Sequence, residues 1–338
     1  MIRVTRKLPK NFIEEHLAFF EPILQIDLPD PGYKYFSTPI LLLSNGMVVN
    51  WLKVEKQSLL YDTRLPEIGG RIFLVKFFIK ALVQNKISFL QAGDDYVTII
   101  NEWSNNYFHW LTEALPKLVT LMDSGIKPIV LLPFNYNYPF QLRSLELLGV
   151  SHQVYKSYVL VGKKIYLPNR LAPYPAHYNP TVMKRLSSLL SISSKKDVNK
   201  GRRIYISRVN ASKRKIQNES EVITLMKEFN FCILELESFT LDDQISIMQH
   251  TDILVSIHGA GLTNIIFCKP GTNVLELSLQ NEIMDKCYFN LANAMDLNYY
   301  YQFCHSSDSS PNYYTSNLIV NVQLLRVNLI QIISNKDV

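Results

Sequence analysis

An α/β fold, with a parallel sheet carrying helices on both faces, is predicted by three features of the chain. Its 338 residues are 47% hydrophobic and 19% charged, enough to fill one large core or two ordinary ones, and outside the disordered and low-complexity range. Beyond about residue 200, short apolar runs alternate with segments of helical period, the pattern of strands joined by crossover helices. Finally, the apolar run 253–257 opens directly into a glycine-containing turn and a short helical segment, the step at which open α/β sheets hold ligands.

The elements follow in order. Pro29, Pro31 and Gly32 mark an early turn, and the apolar runs 40–43 and 47–49 flank Ser44, Asn45 and Gly46 as a hairpin. Residues 69–85 fit either a buried helix or a strand pair, which periodicity does not separate. A strand is expected at 97–100, and a helix at 106–122 despite Pro116. A strand at 129–132, a helix at 140–148 and a strand at 165–167 come next. The prolines 168, 173, 175 and 180 are the best domain boundary. Past it, strands are expected at 203–207, 231–236, 253–257, 274–277 and 297–303, with helices at 219–229, 241–250, 262–267 and 283–295 between them. The tail, 318–333, is apolar at helical spacing and must pack against another element.

Charge and cysteine usage narrow the function. With 35 Lys and Arg against 29 Asp and Glu the net charge is +6, spread over short runs such as Lys163-Lys164, Lys195-Lys196 and Lys213-Arg214-Lys215. These read as solvated surface, or as attraction to phosphate-bearing substrates or an anionic membrane face. No zinc-finger spacing, basic helix or basic–aromatic RNA motif is present, so nucleic acid is not an expected partner. Cys232, Cys268, Cys287 and Cys304 are too far apart for a metal knuckle or redox pair, and their usage fits a reducing cytoplasm. The charged first twenty residues do not read as a signal peptide. The apolar run 72–83 is broken by Lys76 and Lys80 and is too short to span a bilayer.

Three motifs carry chemistry. Glycine is scarce, 12 residues where average usage of about 7% gives roughly twice as many, yet Gly259, Gly261 and Gly271 fall within thirteen positions. The turn His258-Gly259-Ala260-Gly261-Leu262-Thr263-Asn264 lets backbone N–H groups approach an anion at a helix start; a tight turn with a capping histidine would look the same. Arg208 ends an apolar strand where a charge is out of place unless it faces a ligand, and Arg suits bidentate phosphate contacts. Arg214 follows, then Asn218 and Glu221 at capping-box spacing. Upstream, His109 and Glu113 are four apart and share one helix face. A carboxylate beside an imidazole is what a general base requires, and it is also a common surface pair.

Taken together, Ser207-Arg208, the run from Arg214 to Glu219, the run from Asp252 to Asn264, Pro270-Gly271 and Leu275-Glu276-Leu277 resemble the signature of family 61 glycosyltransferases. Tyr107-Phe108-His109-Trp110 with Glu113 and Pro116 is similar to that family's upstream motif. The resemblance implies a GT-B-type fold, two Rossmann-like domains facing across a cleft, with an inverting mechanism. The expected division is an acceptor-side domain over 1–170, a nucleotide-sugar domain over 171–310, and a tail helix, 311–338, returning to the first domain. The donor, UDP-linked in this expectation, would lie against Arg208, Arg214, Asn218, Glu219, His258, Gly259, Ala260, Gly261, Leu262 and Asn264, with Glu276 bonding ribose or sugar hydroxyls.

A glycan or lipid-linked saccharide, such as a growing surface or capsular polysaccharide, would be the acceptor. The base would be Glu113 or His109, with Glu113 favoured and His109 orienting the acceptor. No Asp-x-Asp stands in the matching region, and Asp94-Asp95 lies outside it, so no cofactor or essential divalent metal is expected. A lipid-linked acceptor would draw a basic cytoplasmic enzyme to the inner face of the membrane. The alternative is a non-catalytic nucleotide- or glycan-binding module. A Rossmann oxidoreductase is set aside because Asn264, not glycine, completes Gly259-x-Gly261.

Overall fold

In a computed structural model of the chain, the described residues are 1–20, 24–36, 40–43, 48–50, 53–55, 76, 79–101, 103–156, 159–162, 164–172, 176–194, 196–279, 286–306, 308 and 315–335. They fall into two compact units: Met1–Leu28 with Ala176–Val338, and Pro29–Pro175.

The first unit is built on five parallel strands. In spatial order they are Cys232–Leu234, Arg203–Ile206, Ile253–Ile257, Asn273–Leu279 and Asn298–Cys304. Numbered along the chain this is 2-1-3-4-5, a doubly wound order whose direction reverses between the first and third strands. Because parallel crossovers are right-handed, the reversal sends successive helices to opposite faces. The helix Glu219–Glu228 lies on one face. The helices Leu241–Gln249, Pro180–Ser193 and Cys287–Ala294 and the 3-10 segment Ala260–Phe267 pack together on the other. The middle strands are buried along their whole length, as continuous apolar runs require.

Two expectations about the chain's ends are corrected. The tail forms the helix Val322–Ser334, capped by Asn321, whose side chain accepts from Leu324 N–H at 3.0 Å. It belongs to this unit rather than to an N-terminal domain over 1–170. Leu325, Leu329 and Ile332 are buried in one core with Val222, Leu225 and Met226, each contributing about 1.5–3 kcal/mol by burial. Residues 1–28 also belong here, not with 29–170. Ile2–Thr5 pairs antiparallel with Gln25–Leu28, Lys10 N–H bonds Tyr299 O at 2.8 Å, and Phe20 packs on Phe289 and Tyr301.

The second unit holds two five-stranded sheets. One runs His152–Tyr155, Ile129–Pro133, Tyr96–Val97, Ile165–Pro168 and Tyr33–Phe36, parallel except at the last pairing. The other runs Lys53–Glu55, Val48–Asn50, Ile40–Leu43, Val159–Gly162 and Ile87–Phe89, parallel only at the last pairing. The expected hairpin is therefore present as the antiparallel pair Ile40–Leu43 and Val48–Asn50, while its turn and residues 56–75 lie outside the described residues.

The helix expected at 106–122 is observed with a changed interior. Tyr107–His109 and Leu115–Asp123 are α-helical, and Trp110–Ala114 between them is a π-helical turn. Pro116 explains it: proline has no N–H to give Thr112 O and its ring crowds that carbonyl. The ladder widens instead, with Leu115 N–H bonded five residues back to Trp110 O. Such turns concentrate at functional sites.

Candidate active site

In the first unit the reversal of strand order puts two strand ends side by side. Arg208 follows the strand Arg203–Ile206, and His258 follows Ile253–Ile257. Arg208 is set by Glu219. A single buried oxygen, Glu219 Oε1, accepts from Tyr205 OH at 2.9 Å, Ser207 OH at 2.9 Å and Arg208 N–H at 3.3 Å. The Arg208 guanidinium donates to Lys213 O at 3.2 Å and lies against Gly259, where a Cβ would sit 2.7 Å from Nη1. Gly259 is needed for that approach.

Arg214 reaches the same place with His258, the two lining a small pocket together with Ile257, Ser278, Leu279, Ser316 and Leu318. Its backbone is left-handed, φ 54°, a conformation that costs a non-glycine residue roughly 1–2 kcal/mol. The strain is held by pairing on the C-terminal side. Ile216 bridges Leu318 in parallel, Lys215 N–H bonds Asn317 Oδ1 at 2.9 Å, and Leu318 N–H bonds Lys215 O at 2.8 Å. Asn218 belongs to this seam: its side chain bonds Val320 O at 2.9 Å and Val320 N–H at 3.0 Å. It makes no side-chain cap, so the capping box expected with Glu221 does not form.

The Nε atoms of Arg208 and Arg214 are both out of solvent and have no hydrogen-bond partner among the described residues. Burial first, then the charge of Arg214, holds the Arg208 guanidinium below its usual value, with Glu237, Tyr288 and Glu219 opposing. Buried donors left unpaired are costly, and the repulsion between the Arg214 and Arg208 charges adds to that cost. The arrangement suits a polyanion.

His258 is held on the same side. Its Nδ1–H donates to buried Glu276 Oε1 at 2.5 Å, and Glu276 Oε2 accepts from Tyr299 OH at 2.6 Å. Tyr288 stands edge-on to the imidazole with centroids 4.9 Å apart, and its OH donates to Gly259 O at 2.6 Å. Leu262 N–H closes on Gly259 O at 2.9 Å, so Ala260 and Gly261 present the first-turn N–H groups. Leu262 and Asn264 are buried, and Asn264 Nδ2 holds Gly261 O at 3.0 Å.

The sequence-predicted residues thus separate by position. Arg208, Arg214, His258, Gly259, Ala260 and Gly261 meet at the reversal. Asn218, Glu219, Leu262, Asn264 and Glu276 are engaged with the protein itself, Glu276 through both oxygens where sugar or ribose hydroxyls were expected. Tyr288 and Tyr299 were missed. They come from elements far along the chain, with no local signal.

The second unit carries His109 and Glu113 on the two sides of the π turn's start. Their Nδ1 and Oε1 are 2.8 Å apart. Glu113 Oε2 accepts from Asn101 Nδ2 at 2.9 Å, and Asn101 Oδ1 in turn accepts from Ser104 OH at 2.7 Å and Trp103 N–H at 3.0 Å. Burial would raise the Glu113 carboxyl, but the hydrogen bond and charge of His109, the Asn101 amide and the Lys117 ammonium pull it below the usual value. Lys117 is buried, donates to Ile99 O at 3.4 Å, and burial pushes it down to about 8 against the pull of Glu113. A carboxylate only accepts, so Nδ1 carries the imidazole proton and Nε2 is the basic nitrogen. Asn101, also missed, lies twelve residues from its partner. Trp103, exposed beside His109 with ring centroids 6.0 Å apart, completes the cluster.

Comparison with known proteins brings the two clusters under one description. Over 91 residues, a quarter of the chain, it is 31% identical to the EGF domain-specific O-linked N-acetylglucosamine transferase of Canis lupus familiaris. The same-named proteins of Pan troglodytes and Mus musculus are 34% and 33% identical over stretches of equal length. Each match covers only 17% of the relative's own length. The family model described as Glycosyltransferase 61 matches residues 107–275, from the first turn of the His109 helix to the residue before Glu276. That is half of the 338 residues, and the chain belongs to the glycosyltransferase 61 family.

Proposed function

We propose that this chain is an inverting glycosyltransferase of GT-B architecture that moves a sugar from a UDP-linked donor to a hydroxyl of a surface polysaccharide or related glycan. The observation that carries the reading is the pair of unpartnered Nε atoms of Arg208 and Arg214 beside the Ala260 and Gly261 N–H groups. A nucleoside diphosphate supplies the acceptors these donors lack. As the acceptor oxygen attacks the anomeric carbon, its proton passes to His109 Nε2, while Glu113 accepts from Nδ1 and steadies the imidazolium. The bond from the anomeric carbon to the diphosphate oxygen breaks with its electron pair, and the arginines meet the charge that develops there. The reading departs from the sequence expectation by making His109 the base: Glu113 has both oxygens engaged and a lowered pKa, which suit an orienting role. The relay Asn101–Glu113–His109 also favours an enzyme over a binding module, which has no use for an oriented base.

The relatives' name, an O-linked N-acetylglucosamine transferase, makes UDP-N-acetylglucosamine the first donor to try. A rise in Tm with it or another UDP-sugar is the expected result. No stabilisation by any nucleotide or nucleotide sugar overturns the reading.

Gly259→Ala offers a finer test. Its methyl meets the tip of a flexible side chain, Arg208 Nη1, so the guanidinium is displaced while the fold is kept. Calorimetry should show diphosphate affinity falling about tenfold, the loss of one charged hydrogen bond, with Tm unchanged. Unaltered affinity would remove Arg208 from the site.

A further inference from the structure

In the second unit, residues 79–83 are helical, and their apolar side chains face the wrong way for a core. Ile79, Leu82 and Val83, at i, i+3 and i+4, form one stripe, yet they are 55%, 61% and 80% exposed. Ala81, on the other side, is fully buried and anchors the turn. The chain then folds back sharply, Lys86 N–H bonding Ala81 O at 2.8 Å, into Ile87–Phe89, the last strand of its sheet. Phe89 at its end is 79% exposed. Exposed large apolar side chains are ordinary when single; four within eleven residues are not.

Their charges identify what covers them. Lys76, Lys80 and Lys86 are all exposed. From residue 69 to residue 93 the sequence has Arg71 and these three lysines and no Asp or Glu at all. We infer that this face docks on an anionic lipid surface, the apolar side chains entering the headgroup boundary while the lysines extend to the phosphates. Aliphatic and aromatic groups rimmed by lysines of one sign are the composition of an interfacial segment. No described helix is long and apolar enough to cross a membrane. The inference is independent of the donor-site reading, because neither Arg208 nor His109 enters it.

Co-sedimentation of the full chain with vesicles tests it. The protein should pellet with phosphatidylcholine vesicles containing phosphatidylglycerol, remain in solution with phosphatidylcholine alone, and be released by salt. Lys80→Gln with Lys86→Gln should weaken binding about fivefold per lysine removed, and Leu82→Glu with Val83→Glu should abolish it. All four positions are exposed, so Tm should hold; if the glutamates lower it, the lysine pair alone decides. Equal binding to neutral vesicles, no binding, or variants that bind like wild type overturns the proposal. So does a dimer that Leu82→Glu with Val83→Glu dissociates without lipid.

Discussion

Arg208→Ala should lower kcat/KM for the nucleotide sugar by roughly 10- to 150-fold, without loss of thermal stability. The size follows from the contact at stake: a hydrogen bond to a charged group contributes about 1.5–3 kcal/mol, and each 1.36 kcal/mol is a factor of ten. The fold should be indifferent because the side chain gives little to it. Among the described residues its guanidinium donates only to Lys213 O and its Nε has no partner, and Arg214 repels it. Glu219 sets Arg208 through the backbone N–H, so the turn survives truncation. The ligand-free Tm should stay level or rise as the repulsion is relieved, while the rise in Tm on adding donor shrinks. Arg208→Lys should recover only part of the activity, since a point charge replaces the planar fork. Wild-type kinetics in Arg208→Ala would show that the unpaired nitrogens do not serve the donor.

The sheet of the first unit was legible because strands buried on both faces read as apolar runs with no competing period. Ile253–Ile257 is found at the residues expected. What escaped the reading depends on distant partners or on ambiguous punctuation. Pro180 was read as part of a boundary, although it starts the helix Pro180–Ser193 behind the cap Asn179, the position where proline is well tolerated. Asn218 has a capping-box spacing, and only the distant Val320 backbone takes it from that role. Nothing near residues 1–28 or 322–334 tells that both belong with the C-terminal sheet.

The site divides similarly. Arg208 and the glycine turn stood out because a charge and scarce glycines ended apolar strands. Their supports did not: Glu276 takes its partners from His258 and Tyr299, and Glu113 takes one from Asn101. The i, i+4 spacing of His109 and Glu113 gave the pair but not its direction, which depends on which oxygens are already engaged.

That direction is decided by a pH profile. His109→Ala should lower kcat by about 10²–10⁴-fold, the usual contribution of a positioned base, with donor KM little changed. Glu113→Gln should cost less, because the amide oxygen can still accept from Nδ1–H while its charge is gone. If Glu113 were the base, the order would reverse. In the wild type, a Glu113 base would put the acid limb of kcat/KM below the ordinary glutamate value of about 4.3, since His109, Asn101 and Lys117 together outweigh burial and pull that carboxyl down. The same downward shift fixes a control. A carboxylate with a lowered folded pKa stabilises the fold above its unfolded value and loses that contribution as pH falls through the folded one. Tm must therefore be followed beside the rate below about pH 4.5. An acid limb well above the glutamate range with Tm intact rules out Glu113 as the base and leaves the proton to His109, and a limb that coincides only with acid unfolding removes the assignment.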